Sequence, residues 1–161
     1  MPQIQNIMWF QKFNHSILIK CKMNYKRIGV DVGGSHVAAS LIDIAEMSEK
    51  PLAINHKVLD SKDTTSNIVE TIGNCINELL GDAAGINSIG IAFPGPFDYD
   101  NGISAIAGVG GKFNKTFGVH MAQALQNICG NDKLFHFSND AHCYAVGANR
   151  KYGLKGRRKI F

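Results

Sequence analysis

The stretch Arg27-Ile-Gly-Val-Asp-Val-Gly-Gly-Ser-His-Val-Ala-Ala-Ser-Leu-Ile-Asp43 decides how the chain is read. Ile28, Val30 and Val32 alternate with Gly29 and Asp31, which is the period of a strand. Residues 37–43 form a second strand candidate, and Gly33-Gly34 between them predict a tight turn with positive φ. The glycines are not a P-loop, because no Gly-Lys-Ser/Thr follows them, and not a dinucleotide fingerprint, because a strand follows where a helix should. What remains is a hairpin turn with bare backbone N–H groups, either an ordinary turn or a phosphate holder. In the second case the glycines let the backbone approach a phosphate and Ser35 adds a hydroxyl donor. His36 follows the turn and can touch the same phosphate. Asp31 would repel phosphate unless a cation lies between them, so it reads as an indirect Mg²⁺ partner, through water.

Outward from the hairpin, Leu52 to Leu59 gives a third strand, with Leu52, Ile54 and Val58 partly in register, so the chain opens as an antiparallel meander. The period then changes. Ile68, Ile72, Cys75 or Ile76, and Leu79 follow one helix face. Thr64 to Asn67 offer caps, Glu70 suggests a capping box, and Gly81 ends the helix. Residues 88–93 make a buried strand stopped by Pro94-Gly95-Pro96, and a glycine-rich loop runs to about Lys115. A helix from about Gly118 to Cys129, the strand 133–138 and a final helix opened by Asn139-Asp140 complete the order β-β-β-α-β-α-β-α. That order is an α/β sheet covered by helices.

Two more stretches carry chemistry or only geometry. Pro94-Gly95-Pro96 is a stiff turn, or a rigid loop at a strand end where α/β sheets place ligands. Asn139 and Asp140 are preferred helix caps, or an amide that binds hydroxyls beside a carboxylate that takes a proton late, as phosphoryl transfer allows. The six histidines show no metal-protease spacing.

Composition narrows the class. A chain of 161 residues with 45% hydrophobic and 19% charged residues suits one globular domain. No apolar run approaches the roughly 18 to 20 residues that span a bilayer, so no membrane role is expected. Cys21, Cys75, Cys129 and Cys143 form no CxxC pair and read as reduced thiols of a cytoplasmic protein. Residues 1–27 carry five Lys or Arg and no acid, and residues 150–161 carry six and no acid. Residues 28–149 therefore hold six of the seventeen bases against all thirteen acids, a net charge near −7. The basic character belongs to the ends, which argues against a nucleic-acid face. Residues 1–22 match no signal peptide and read as a tail, with Met23 a plausible start. The domain is expected over 23–150, and the basic stretch 151–161, ending on Ile160-Phe161, reads as a linker entering something further.

Asp31-x-Gly33-Gly34-Ser35 with Asp43, then Pro94-Gly95-Pro96 after a buried strand, then Asn139-Asp140-Ala141 opening a helix, together resemble the ROK family of sugar kinases (glucokinase, fructokinase) and related repressors. The resemblance covers residues 26–161. It implies the actin-like, ribonuclease-H-like ATPase fold, with three antiparallel strands followed by alternating helices and parallel strands, and the N-terminal domain only. It implies that Asp31, Gly33, Gly34, Ser35 and His36 face the phosphates of Mg²⁺-ATP. Gly95 and Pro96 would wall the sugar site, Asn139 would bind sugar hydroxyls, and Asp140 would be the catalytic base, also beside the sugar. The partners so implied are ATP and a hexose or related sugar, and the open cleft face suggests a homodimer. Zinc is not expected in this portion. Two features depart from the pattern: the stretch 105–113 lacks the family's frequent asparagine, and Ala148 stands where a glutamate often occurs. The alternatives are a non-catalytic sugar-binding fragment or pseudo-enzyme, and a sugar-responsive repressor without its DNA-binding domain.

Overall fold

The computed structural model describes residues 25–45, 50–81, 85–108 and 110–152. Strands β1 (Lys26–Val32), β2 (His36–Asp43) and β3 (Ala53–Val58) come first, then helix α1 (Thr65–Leu80) and β4 (Ser88–Phe93). A two-residue pair, β5 (Phe97–Asp98) and β6 (Ile103–Ser104), leads to a 3₁₀ turn at Asn114–Thr116. Helix α2 (Met121–Cys129), strand β7 (Leu134–Asn139) and helix α3 (Asp140–Tyr152) follow. The main sheet has the order β3-β2-β1-β4-β7. β1, β2 and β3 pair antiparallel. β1 with β4, and β4 with β7, pair parallel. The expected α/β order is present, with the small β5–β6 hairpin added inside the glycine-rich loop.

The alternation of β1 and β2 sets the core. Ile28, Val30, Val32, Val37, Ala39 and Leu41 all point to one face and are buried. Helix α1 lies on that face and buries Ile68, Val69, Ile72, Cys75, Ile76 and Leu79 against it. Thr64 caps α1, its hydroxyl accepting the Asn67 N–H at 3.2 Å. The expected capping box does not close, because Glu70 accepts from the Ser66 hydroxyl at 3.0 Å instead. Gly81 ends the helix as expected, its N–H donating to the Asn77 carbonyl. Helix α2 begins at Met121, later than the expected Gly118, which sits at φ +73 in the turn before it.

β3 differs from its expected orientation. Leu52, Ile54 and Val58 are exposed, and the alternate residues face α1. The register places Asn55 beside Ala39 and Lys57 beside Val37, on the helix side. Asn55 donates to the Cys75 carbonyl and to Glu78, and Lys57 pairs with Glu78. Polar partners on α1 thus hold this edge strand inward by its polar face, against its apolar pattern.

The opposite face of the sheet carries small residues. Gly29, Ala38, Ser40, Gly90, Ala92 and Ser138 line a groove of about 550 Å³. Helix α3 packs beside it on β4 and β7, contributes Cys143 to it, and has no buried residue of its own. Lys151 and Tyr152 close α3, as the final helix expected after Asn139-Asp140 also includes them. The rest of the stretch 151–161 read as a linker, and the tail expected over residues 1–22, lie outside the described residues.

Candidate functional site

Parallel pairing of β1, β4 and β7 sends their C-terminal ends to one edge of the sheet. Gly33-Gly34-Ser35 follows β1, Pro94-Gly95-Pro96 follows β4, and Asn139-Asp140 closes β7 and opens α3. The register aligns Asp31 with Ala92 and Phe93 with Asn139, so the three segments stand side by side. Two inter-strand steps separate the β1 turn from Asp140, or about 10 Å. The groove on the sheet face includes none of these turn residues and approaches them through Asp31, Ala92 and Ser138.

At the β1 end, Gly33 donates its N–H to the His36 carbonyl at 2.9 Å. Neither Gly33 nor Gly34 has a positive φ, contrary to the sequence expectation. Close approach is what glycine permits here, since a Cβ would push the His36 and Lys112 side chains aside. A Cβ on Gly33 would stand 2.6 Å from the His36 ring, and one on Gly34 would stand 3.2 Å from the Lys112 side chain. The Ser35 and Gly34 carbonyls accept the Leu59 and Ser61 N–H groups at 3.1 and 3.3 Å. The Gly34 and Ser35 N–H groups have no protein acceptor among the described residues. Unmatched donors on a glycine turn can receive an anion. Asp31 is exposed between Ala38 and Ala92, with His36 Nε2 4.0 Å from its Oδ2. No group of three or more metal-ligating side chains occurs among the described residues. A cation at Asp31 would take its other ligands from water and phosphate, which suits Mg²⁺.

At the β4 end, an aromatic cluster underlies the proline loop. The Phe97 ring lies 4.9 Å from Phe93, 5.0 Å from Phe137 and 5.2 Å from Tyr99, centroid to centroid. The Gly95–Pro96 peptide is cis. The Tyr99 hydroxyl donates to the Phe93 carbonyl at 3.1 Å and accepts from Asn139 Nδ2 at 3.0 Å. A Cβ on Gly95 would stand 3.1 Å from that hydroxyl. Tyr99 therefore ties the Phe93 carbonyl to Asn139, close against Gly95, a role the sequence reading missed. Its only signal was an aromatic residue shortly after the prolines. Beside it, hydrogen bonds from the Asn101 side chain and backbone hold the Asp98 carboxyl below its ordinary range and close the β5–β6 turn.

At the β7 end, the competition between capping and chemistry is divided between neighbours. Asn139 Oδ1 accepts the His142 N–H at 3.1 Å and caps α3. Asp140 Oδ1 accepts only the adjacent Ala141 N–H at 2.8 Å, and its Oδ2 has no donor among the described residues. A carboxylate oxygen at a strand end, on a partly exposed residue, is thus open to accept a proton from a hydroxyl.

The ROK family model matches residues 27–159. No curated protein matches the chain by sequence. Among solved structures, glucokinase from Parabacteroides distasonis is similar at 22% identity and TM-score 0.61, covering 87% of this chain and 40% of that one. A ROK family glucokinase from Streptomyces griseus, in complex with glucose and AMPPNP, is similar at 20% identity and TM-score 0.59, covering 78% and 36%. A ROK family transcriptional regulator, a homologue of the E. coli MLC protein, is similar at 12% identity and TM-score 0.60, covering 80% and 31%. The chain spans well under half the length of each. At these identities the likeness shows the fold, and the expected actin-like α/β fold is the observed one.

Proposed function

The chain belongs to the ROK family, and from that premise we propose that it supplies the acceptor side and first phosphate contacts of a kinase acting on a hexose hydroxyl. The observation that carries this reading is the gathering of three segments at the parallel ends of β1, β4 and β7. In it, Gly95, Pro96 and Asn139 position the sugar. Asn139 is itself held by Tyr99 and by its cap to α3. Asp140 accepts the hydroxyl proton at Oδ2 late in the transfer. Gly33, Gly34, Ser35 and His36 face the phosphates, with donors supplied by the Gly34 and Ser35 N–H groups, and Asp31 holds Mg²⁺ through water. Bound Mg²⁺-ATP would supply the phosphoryl group and neutralise its charge. Separation of the β1 turn from Asp140 by about 10 Å leaves room for a phosphoryl group and a hydroxyl between them.

Calorimetric titration with glucose, fructose and N-acetylated hexosamines tests the sugar half, and ATP-dependent phosphorylation tests the transfer. Where turnover is measured, Asp140→Ala is expected to lower it by roughly 10²- to 10⁴-fold, with sugar affinity and melting temperature kept. Retention of most of the turnover would remove Asp140 from the base role. A non-catalytic sugar-binding module is the second reading, and sugar binding without ATP-dependent transfer would favour it. A repressor half, suggested by the regulator's similarity, shares its expected outcome of sugar binding without transfer.

A further inference from the structure

Lys112 reaches the Gly33-Gly34 turn from a loop far along the chain. Its Cδ and Nζ each lie 3.2 Å, and its Cε 3.3 Å, from where a Cβ on Gly34 would be. The backbone that carries it is fixed on its C-terminal side. Gly110 and Gly111 precede Lys112 at φ +57 and +79, and the residue after it, Phe113, is held at φ +55, a region that non-glycine side chains seldom occupy. Phe113 stays there because its ring is 3% exposed and lies 5.2 Å from Phe93, and because its N–H donates to the Ser61 carbonyl at 2.6 Å. Ser61 in turn donates to the Gly34 carbonyl. One relay, Phe93 to Phe113 to Ser61 to Gly34, therefore sets both the turn and the lysine above it.

Among the described residues, nothing uses the charge so placed. Lys112 is exposed and makes no hydrogen bond or ion pair with any described residue. The Gly34 and Ser35 N–H groups at the same turn are also unmatched among the described residues. An ammonium and two backbone donors beside one glycine complement a phosphate oxygen group, and a charged hydrogen bond is the stronger kind. The Asp31 carboxylate beside the turn repels a polyanion, and an ammonium at this place offsets that repulsion in addition to any cation held at Asp31.

We propose that Lys112 is a phosphate-binding residue of this cleft, joining the Gly34 and Ser35 N–H groups to hold the terminal phosphate of a polyphosphate chain. This rests on the phosphotransfer reading above. The terminal phosphate can come from ATP or from inorganic polyphosphate, and the two are probed separately.

The test is calorimetric titration of the 161-residue chain with inorganic tripolyphosphate, with Mg²⁺-ATP and with glucose, for wild type, Lys112→Met, Lys112→Arg and Lys115→Met. Methionine keeps the stem that packs on Gly34 and removes only the charge. The expected result for Lys112→Met is a loss of about 10-fold or more in phosphate-compound affinity with glucose affinity unchanged. Lys112→Arg should stay within about 3-fold of wild type. Lys115→Met makes the same change in net charge on the neighbouring surface and should stay within about 2-fold. Binding of tripolyphosphate alone supports the site and assigns it to inorganic polyphosphate; binding of Mg²⁺-ATP supports it for the nucleotide. Equal affinities for wild type and Lys112→Met, or an equal loss in Lys115→Met, overturn the proposal and leave the phosphotransfer reading standing. A wild-type chain that binds glucose but neither phosphate compound also overturns it. A chain that binds none of the three overturns both.

Discussion

Replacing Asn139 by alanine removes two hydrogen bonds with one change. Its Oδ1 caps α3 through His142, and its Nδ2 donates to the Tyr99 hydroxyl. Loss of an N-cap costs about 1 kcal/mol. Loss of the partly buried bond to Tyr99 costs about 1 kcal/mol more. For a chain of this length each kcal/mol moves the melting temperature by about 2–4 °C, so Asn139→Ala should lower it by about 4–8 °C. Tyr99→Phe removes the hydroxyl that also donates to the Phe93 carbonyl, and should cost about 1–2 kcal/mol. The two residues share one bond, so the double variant should fall short of the sum of the single losses by about 1 kcal/mol. Thermal and urea melts followed by circular dichroism give all four corners of the cycle. Hexose titration of Tyr99→Phe, in which the Asn139 amide is free to turn, should show weaker binding as well. Additivity within about 0.3 kcal/mol, or an Asn139→Ala melt within about 1 °C of wild type, would refute the claim that Tyr99 holds Asn139.

Two further outcomes follow from the packing. In α1, a Cβ on Gly73 would stand 2.6 Å from Ile128 Cγ2 on α2, too close for any real contact. Gly73→Ala gains about 1 kcal/mol of helix propensity and loses about 1–3 kcal/mol to overpacking, so the urea midpoint should fall; a rise would show that α2 shifts freely. Burial pushes the Cys129 thiol up to about 11 and raises that of Cys75 as well. Thiolate is the reactive form and appears only as pH rises toward the shifted value. Folded chain held at pH 8 with iodoacetamide should therefore keep both unlabelled while denatured chain labels both, as read by peptide mass spectrometry. Rapid labelling of Cys129 in the folded chain would contradict its burial.

Much of the architecture was legible because local patterns agreed with the tertiary result. Alternation in β1 and the i, i+4 spacing of Ile68, Ile72 and Ile76 both point at the same core. β3 misled because its inner face is polar, and only the position of Glu78 on α1 makes that face a good one to turn inward. The turn glycines were found for a reason that did not hold. Their φ values are ordinary, and what they permit is the approach of His36 and Lys112, which no local pattern encodes. The segments after β1, β4 and β7 could be picked out singly by their turn and cap residues. Their meeting depends on parallel pairing across long loops. The Tyr99–Asn139 bond, which spans 40 positions, left no trace in local sequence.

The pairing pattern also orders the formation of the fold in time. β1, β2 and β3 pair with their neighbours in sequence, through short connections. β1 and β4 meet between Ile28 and Ile89, and β4 meets β7 between Ser88 and Leu134, so both joins close long stretches of chain. Closing a longer loop costs more entropy before any contact repays it, and such pairings are slow. The meander with α1 can therefore form as an early nucleus, and the edge where the three strand ends meet is completed last. During refolding, far-UV signal should return before the proposed sugar affinity does, and an early intermediate would be structured yet lack the proposed site.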